Sequence, residues 1–168
     1  NPRRARMEAE EALRLAPNNS DVMTVATDVF AGIGAYERTT EVFNRVEILN
    51  PNYPAWLNWK VALAHFVHEK YADAVVRLEM TQTDWWYWTH VAIASAHCAN
   101  DSIESGQEAL RTALEMKPDF ADFYWPELYF WHRGPDVRPW LENLSAGLEA
   151  CGWDVPPDPG PEAFAAPQ

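Results

Sequence analysis

Three short segments of similar sequence recur along the chain, and each has a proline at its centre. The prolines are Pro17, Pro51 and Pro118, so the spacing is 34 residues in the first gap and 67 in the second. A degenerate copy, Met80–Trp85, lies between the second and the third. Self-similarity at a period of a few tens of residues is the signature of stacked repeat architectures. The chain is therefore predicted to be a repeat array.

The residues between these segments have helical periodicity. Apolar side chains recur three and four positions apart, as in Val22, Val25, Ala26 and Val29. Proline ends a helix because it lacks an N–H and clashes with the preceding turn, and a neighbouring Asn or Asp caps the next helix. We therefore expect helices at residues 3–16, 20–33, 37–49, 54–68, 71–81, 85–99, 102–116, 120–132 and 136–151.

The fold class expected from this pattern is all-α. It is a right-handed solenoid of antiparallel helix pairs, closed by a C-terminal capping helix. The helical domain spans residues 1–153 and a proline-rich tail spans 154–168. Within the domain we expect a partial repeat 1–19, repeats 20–53, 54–86 and 87–119, and a closing helix pair 120–152.

Small residues mark the second helix of each pair. Each follows an aromatic or branched residue by three positions, and small side chains there let two helices approach closely; the pairs are Tyr36 with Thr39, Tyr71 with Ala74, and Ile103 with Gly106. The tail contains the run Pro156–Pro161, which cannot be helical. We expect Phe164 and these prolines to dock on a groove of this molecule or of a neighbouring one.

Composition excludes several classes of partner. The chain has 13 Lys and Arg against 25 Asp and Glu, a formal charge of -12, which opposes binding to a phosphate backbone, so no nucleic acid is expected. No apolar run is long enough for a membrane span, and no membrane partner is expected within this segment. The two cysteines, Cys98 and Cys151, lie in apolar helical contexts. They are expected to be free and buried, which fits a reducing, cytoplasmic location.

The stretch Trp56–Ala74 and the end Gly147–Trp153 resemble a known family. They are similar to the tetratricopeptide (TPR) region at the C-terminal end of bacterial class III adenylate/guanylate cyclase-like proteins and related winged-helix regulators. Two departures are visible: Glu69 stands where such repeats usually carry Gly, and His65 and His97 stand where an aromatic residue is usual. The resemblance implies a bacterial signalling protein whose cyclase domain would be separate from these repeats.

In TPR proteins the first helices of successive repeats line a concave groove. Carried over residue by residue, the resemblance implies partner contacts from nine positions: Trp56, Trp59, Leu63, Phe66, Trp88, Val91, Ser95, Asp21 and Asp28. Cys98 follows in the same helix as Ser95 and would face the same way.

The chain has nine Trp, and the aromatic positions admit two interpretations. In one the rings line a groove, and in the other they form the core between repeats, where each buries about 150–250 Å². Trp85, Trp86 and Trp88 cannot all point inward, so we expect at least one of them to be exposed.

No catalytic site is expected. His65 and His68 lie one turn apart, but no Cys or carboxylate completes a zinc ligand set near them. Glu8, Glu10 and Glu11 lie on a surface helix, without the desolvated pocket that acid/base catalysis needs. We therefore expect no metal, no cofactor and no enzymatic activity from this segment.

The function expected from these observations is a non-catalytic interaction and regulatory scaffold that binds a protein or peptide partner. An alternative is a small-molecule sensor, in which the aromatic groove stacks a planar ligand that Ser95, His90 or Asp28 orients. A third hypothesis is self-association through an apolar edge at the first helix.

Overall fold

The computed structural model describes residues 1–81, 85–131 and 138–164. Parts of three predictions lie outside these residues: the middle of the degenerate copy at 82–84, the helix ends at 132 and 136–137, and the tail end at 165–168. The described residues form nine α-helices, a 3₁₀ helix at Pro161–Phe164, and no strand. The all-α fold class is confirmed.

The helix bounds follow the expected positions to within about three residues. They are α1 Pro2–Leu15, α2 Ser20–Gly32, α3 Tyr36–Leu49, α4 Leu57–Val67, α5 Tyr71–Glu79, α6 Tyr87–Ala99, α7 Ile103–Met116, α8 Phe120–Trp131 and α9 Arg138–Ala150. Pro17, Pro51 and Pro118 lie in turns between helices. Asn19 caps α2, because its side chain accepts from the N–H groups of Asp21 and Val22 at 2.9 and 3.1 Å. The proline turns therefore end and restart helices for the expected reason.

The first seven helices stack in chain order. The hairpins α2–α3, α4–α5 and α6–α7 pack internally, and α1–α2, α3–α4 and α5–α6 join consecutive hairpins. Within each hairpin the helices approach at the small residues: Thr39 and Ala74 are fully buried. At Gly106 an added Cβ would lie only 2.2 Å from Cys98 Sγ. A stack of helix pairs follows from this local pairing.

The turns inside the hairpins share a left-handed backbone residue. Gly34, Glu69 and Asp101 have φ of 77°, 55° and 58° respectively. Glycine adopts this conformation without steric cost, whereas a side chain is strained there. Glu69 thus occupies a glycine position, as the comparison with the repeat pattern suggested.

The last two helices do not continue the stack. α9 folds back and packs against α6 and α4, with its stripe of Trp140, Leu141, Leu144 and Leu148 buried. This apolar stripe faces the first helices of two repeats.

The expectation that both cysteines are free is wrong. Cys98, near the end of α6, and Cys151, just after α9, form a disulfide with a Cα–Cα distance of 5.3 Å. The pairing arises because the fold-back of α9 brings together two residues that are 53 positions apart. The argument from free cysteines for a reducing compartment therefore fails.

Candidate functional site

The face that the repeat pattern assigns to a groove is formed by α2, α4 and α6. We call it the concave face and define it by the nine positions named above, two from α2, four from or just before α4, and three from α6. Six of these nine side chains are buried, with at most 8% exposed: Trp59, Leu63, Phe66, Trp88, Val91 and Ser95. These six side chains are therefore inaccessible to a partner in this conformation.

The chain's own α9 covers much of this face. Ser95 Oγ donates a hydrogen bond to the carbonyl of Leu144 at 2.8 Å. Asn143 Nδ2 donates to the carbonyl of Phe66, at the end of α4, at 2.7 Å. These bonds join α9 to both α6 and α4, so α9 lies across two repeats of the concave face.

Gly147 is the point of closest approach between α9 and α6. A Cβ added at Gly147 would lie 2.2 Å from Ser95 Oγ and 2.4 Å from Ser95 O. One of these atoms is backbone, so the contact cannot be relieved by rotating a side chain. Glycine at this position is what lets the two helix backbones come together.

The start of α6 is covered by α8. The Trp88 ring lies 5.2 Å from Phe120 and 5.9 Å from Tyr124, centroid to centroid. Trp88 Nε1 and Tyr87 Oη both donate to Glu127 Oε2 at 2.6 Å. Burial, together with the hydrogen bond to Glu127, raises the pKa of Tyr87. Trp88 is therefore a satisfied core residue.

The tryptophans divide between core and surface. Trp85 is 77% exposed, Trp56 is 43% exposed and Trp88 is buried. The Trp86 ring packs against the Trp59 ring at an interplanar angle of 53°, with ring centroids 4.8 Å apart. The prediction that at least one of Trp85, Trp86 and Trp88 is exposed is confirmed, and the core interpretation holds for Trp59 and Trp88.

The N-terminal end of the concave face stays open. Asp21 is exposed, and Asp28 forms an ion pair with Lys60 at 3.0 Å. Beside them α1 and α2 enclose a groove of about 490 Å³, lined by Ala5, Glu8, Ala9, Ala12, Asp21, Val22, Val25, Ala26 and Val29. This groove is a largely apolar surface beside the first helix, and self-association through it stays a prediction.

The proline-rich tail docks on α8 and not on the concave face. Trp125 Nε1 donates to the carbonyl of Pro156 at 2.7 Å, and Tyr129 Oη donates to the Asp158 carboxylate at 2.8 Å. The Phe164 ring stacks on Tyr129 with centroids 5.6 Å apart. Phe164 therefore contacts this molecule, as expected, but it stays 40% exposed and lies on α8 instead of in a groove.

Trp125 and Tyr129 carry a signal that was available in the sequence. α8 has the aromatic residues Phe120, Tyr124, Trp125 and Tyr129 at helical spacing, which places several rings along neighbouring stripes of one helix. A proline-rich tail follows shortly after it. Aromatic surfaces bind proline-rich segments, so the two features together indicated a docking pair.

The histidines and carboxylates considered for metal binding and for acid/base catalysis can be located in the parts of the chain that the structure describes. No group of three or more His, Cys, Asp and Glu side chains there is placed to hold a metal ion. The pKa of His65 is lowered, chiefly by burial, as expected of a packed histidine. The carboxylate of Glu10 is occupied by Arg38, at 2.8 Å.

Two further cavities lie away from the aromatic rings of the concave face. One, of about 450 Å³, lies between α1 and the α2–α3 turn, and its basic residues are Arg3, Arg6 and Arg38. The other, of about 370 Å³, is lined by Glu47, Pro51, Tyr53, Ala55, Asn58 and Met80. The stacking pocket that a small-molecule sensor requires is occupied by α8 and α9 in this structure. Within the described residues, no helix is both long and apolar enough to cross a membrane.

Comparisons with known proteins identify the architecture. No protein-family model and no curated protein matches the chain. Among solved structures, it is similar to MamA 41-end from Desulfovibrio magneticus RS-1, with a TM-score of 0.64 and 21% identity, over 89% of this chain and 85% of that one. A double mutant, titled MamA RS-1 ArsTM, gives the same TM-score and identity over 89% and 84%. At this identity the likeness shows the fold, which is a TPR-type helical solenoid.

Proposed function

We propose that this chain is a non-catalytic protein-interaction scaffold whose concave face binds an amphipathic helix. The observation that carries the proposal is the position of α9, an amphipathic helix seated on α4 and α6 where the repeat pattern expects a ligand. In this interpretation α9 is the resident ligand, and a partner helix competes with it for the same face.

The contacts of α9 are of the kind that a helix-binding groove makes. Ser95 of α6 donates to a backbone carbonyl of α9, and Asn143 of α9 donates to a backbone carbonyl of α4. A carbonyl oxygen in a helix has two lone pairs, so it can accept such a bond in addition to the one within its own helix. The apolar stripe and the close glycine contact supply the remaining surface complementarity. The partner is therefore a helix with an apolar stripe and a small residue in its middle.

The open part of the concave face offers a place for first contact. Asp21 is exposed, Val25 is 63% exposed, and Trp56 projects at the start of α4. The covered part of the face lies under α9. Ser95 and the Phe66 carbonyl bond to α9, so a partner would meet them only after α9 has left. Trp59 and Trp88 belong to the core between repeats, and they are not proposed as contacts.

The other hypotheses have less support. A small-molecule sensor needs an open aromatic pocket on the concave face, and α8 and α9 fill that space. The nucleotide-cyclase parentage stays a prediction, because the two matched structures bear the name MamA and no cyclase name. The cytoplasmic location likewise stays a prediction.

The proposal is tested by supplying α9 in trans. The chain variant Gly147→Leu with Cys151→Ser should release its own α9, because the larger side chain meets the Ser95 backbone. A fluorescent peptide of residues 138–152, with Ser in place of Cys151, should then bind it with an equimolar stoichiometry in an anisotropy titration. The matched control is Ala146→Leu with Cys151→Ser, since Ala146 is an exposed neighbour on α9.

The control chain should bind the peptide far more weakly, because its tethered α9 competes at high effective concentration. Circular dichroism checks that both variants keep their helices. If neither chain binds the peptide, α9 is merely part of the core and the concave face is not a helix-binding site.

A further inference from the structure

The tail lies on α8 through a set of contacts that match the chemistry of proline-rich segments. Residues 153–160 form neither helix nor strand, and Pro156, Pro157 and Pro159 have no N–H to donate. Such a segment presents carbonyl acceptors and pyrrolidine rings. α8 offers the complement, a Trp N–H that donates to the Pro156 carbonyl at 2.7 Å beside aromatic rings.

Asp158 supplies the polar anchor of the segment. Its carboxylate oxygens accept from Tyr129 Oη at 2.8 and 2.9 Å. One of the same oxygens accepts from the Gly160 N–H at 2.8 Å, which folds the segment into a local turn. Arg138 acts electrostatically on the Tyr129 phenol from the start of α9, so the surroundings of this anchor include a positive charge.

Gly160 returns the chain to the same surface. Its φ of 78° lies in the left-handed region that favours glycine. The 3₁₀ helix Pro161–Phe164 follows, and it brings the Phe164 ring over Tyr129 with an interplanar angle of 30°. Trp125 and Tyr129 also stack on each other at 5.8 Å. Two rings of α8 therefore hold a carbonyl, a carboxylate and an aromatic ring from one short segment.

The docked segment is held at the surface and not in the core. Phe164 remains 40% exposed, and Pro157, Asp158 and Pro159 are exposed. A contact of this kind is exchangeable, unlike the fully buried stripe of α9. The tail is thus placed as a ligand on a preformed aromatic surface.

We propose that Trp125 and Tyr129 form a binding site for an acidic, proline-rich segment of a partner protein, and that residues 156–164 are its resident occupant. The recognised pattern is a proline carbonyl, an Asp two residues later, a Gly two residues after that, and an aromatic ring four residues beyond the Gly. This site is separate from the concave face, and neither proposal depends on the other.

The test uses the full chain and a labelled peptide of residues 155–164. The resident tail is weakened with Asp158→Ala and Phe164→Ala, which leave α8 unchanged. A tethered ligand competes with an effective concentration in the millimolar range for short linkers. We therefore expect calorimetric titration to show the peptide binding the tail variant at least about 10-fold more tightly than it binds the wild-type chain.

Adding Tyr129→Phe to the tail variant removes the phenol that donates to the Asp158 carboxylate and keeps the ring. Peptide affinity should then fall by about 10-fold, since a hydrogen bond to a charged group is lost while the ring contact stays. A peptide with Asn in place of Asp158 should show a similar loss on the tail variant.

Equal affinity of the tail variant and the wild type for the peptide would overturn the proposal, and so would indifference to Tyr129→Phe. The wild type could also dimerise as its concentration rises, in a way that the tail substitutions abolish. The occupant of the site would then be the tail of a second copy of this chain and not a partner protein. Circular dichroism of each variant separates these outcomes from unfolding.

Discussion

Gly147 of α9 and Ser95 of α6 lie so close that a Cβ at position 147 would come within 2.4 Å of the Ser95 carbonyl oxygen. Ser95 Oγ also bonds to the Leu144 carbonyl, one turn earlier in α9. The pair holds the last helix against the face that the repeat architecture offers to ligands.

Gly147→Ala should destabilise the protein by about 1–3 kcal/mol, because overpacking a close helix contact forces the backbones apart. Urea denaturation followed by circular dichroism measures the change. Gly32→Ala is the matched control, since nothing lies within 4 Å of a Cβ added there, and it should be neutral or mildly stabilising. Equal effects at both positions would show that the contact with Ser95 does not control the effect.

Glu69→Gly should stabilise the protein by roughly 0.5–1 kcal/mol, because it relieves a side chain held at a φ of 55°. The melting temperature should rise accordingly. Lys70→Gly provides the comparison one residue away, where φ is −89° and glycine brings no relief. A fall in stability for Glu69→Gly would mean that the Glu69 side chain makes a compensating contact.

Cys151→Ser should lower the free energy of unfolding by up to about 4 kcal/mol, the loop-closure value for cysteines 53 residues apart. The same loss should appear when the wild type is denatured in the presence of a phosphine reductant. Denaturing, non-reducing alkylation is the first check, and it should modify neither cysteine of the oxidised chain. Full modification under those conditions would show that the two cysteines do not form a disulfide.

Alkaline pH should release the tail from α8. Partial burial and the hydrogen bond to Asp158 raise the pKa of Tyr129 to about 12, with Arg138 opposing and Glu162 adding to the shift. An unfolded tyrosine titrates near 10, so the folded state favours the neutral phenol. The stabilisation from this contact is fully present below about pH 10 and is lost as pH rises through about 12.

The difference between the ultraviolet titrations of the wild type and Tyr129→Phe isolates this one phenol from Tyr87, Tyr124 and the others. It should show a single group that ionises near pH 12. A group that ionises near 10 would indicate that the tail does not rest on Tyr129.

The sequence alone predicted where the helices lie and that they pack as antiparallel pairs. Proline spacing and apolar periodicity are local properties, so they located the helices to within a few residues. The repeat pattern also predicted that Glu69 stands at a position where glycine is usual, and its left-handed φ of 55° agrees with this.

The sequence was not sufficient for the burial of the concave face. Where α9 comes to rest depends on contacts between residues far apart in the chain, such as Asn143 with Phe66, and on the shape of the connection from α8. The pairing of Cys98 with Cys151 depends on the same fold-back. Periodicity within one helix contains no information about which distant helix its stripe will meet.

The most direct measurement is the accessibility of position 95. A chain with Ser95→Cys, and with serine at positions 98 and 151, carries one thiol, on the face that α9 covers; a second chain with Ser105→Cys carries it at an exposed position of α7. If α9 occupies the concave face through its packing, the thiol at 95 should react with a soluble thiol reagent roughly 100-fold more slowly, which corresponds to an opening free energy of about 2.7 kcal/mol. Adding Gly147→Leu should bring the two rates close together. Equal rates before that substitution would contradict the account, because the concave face would then be open without any displacement of α9.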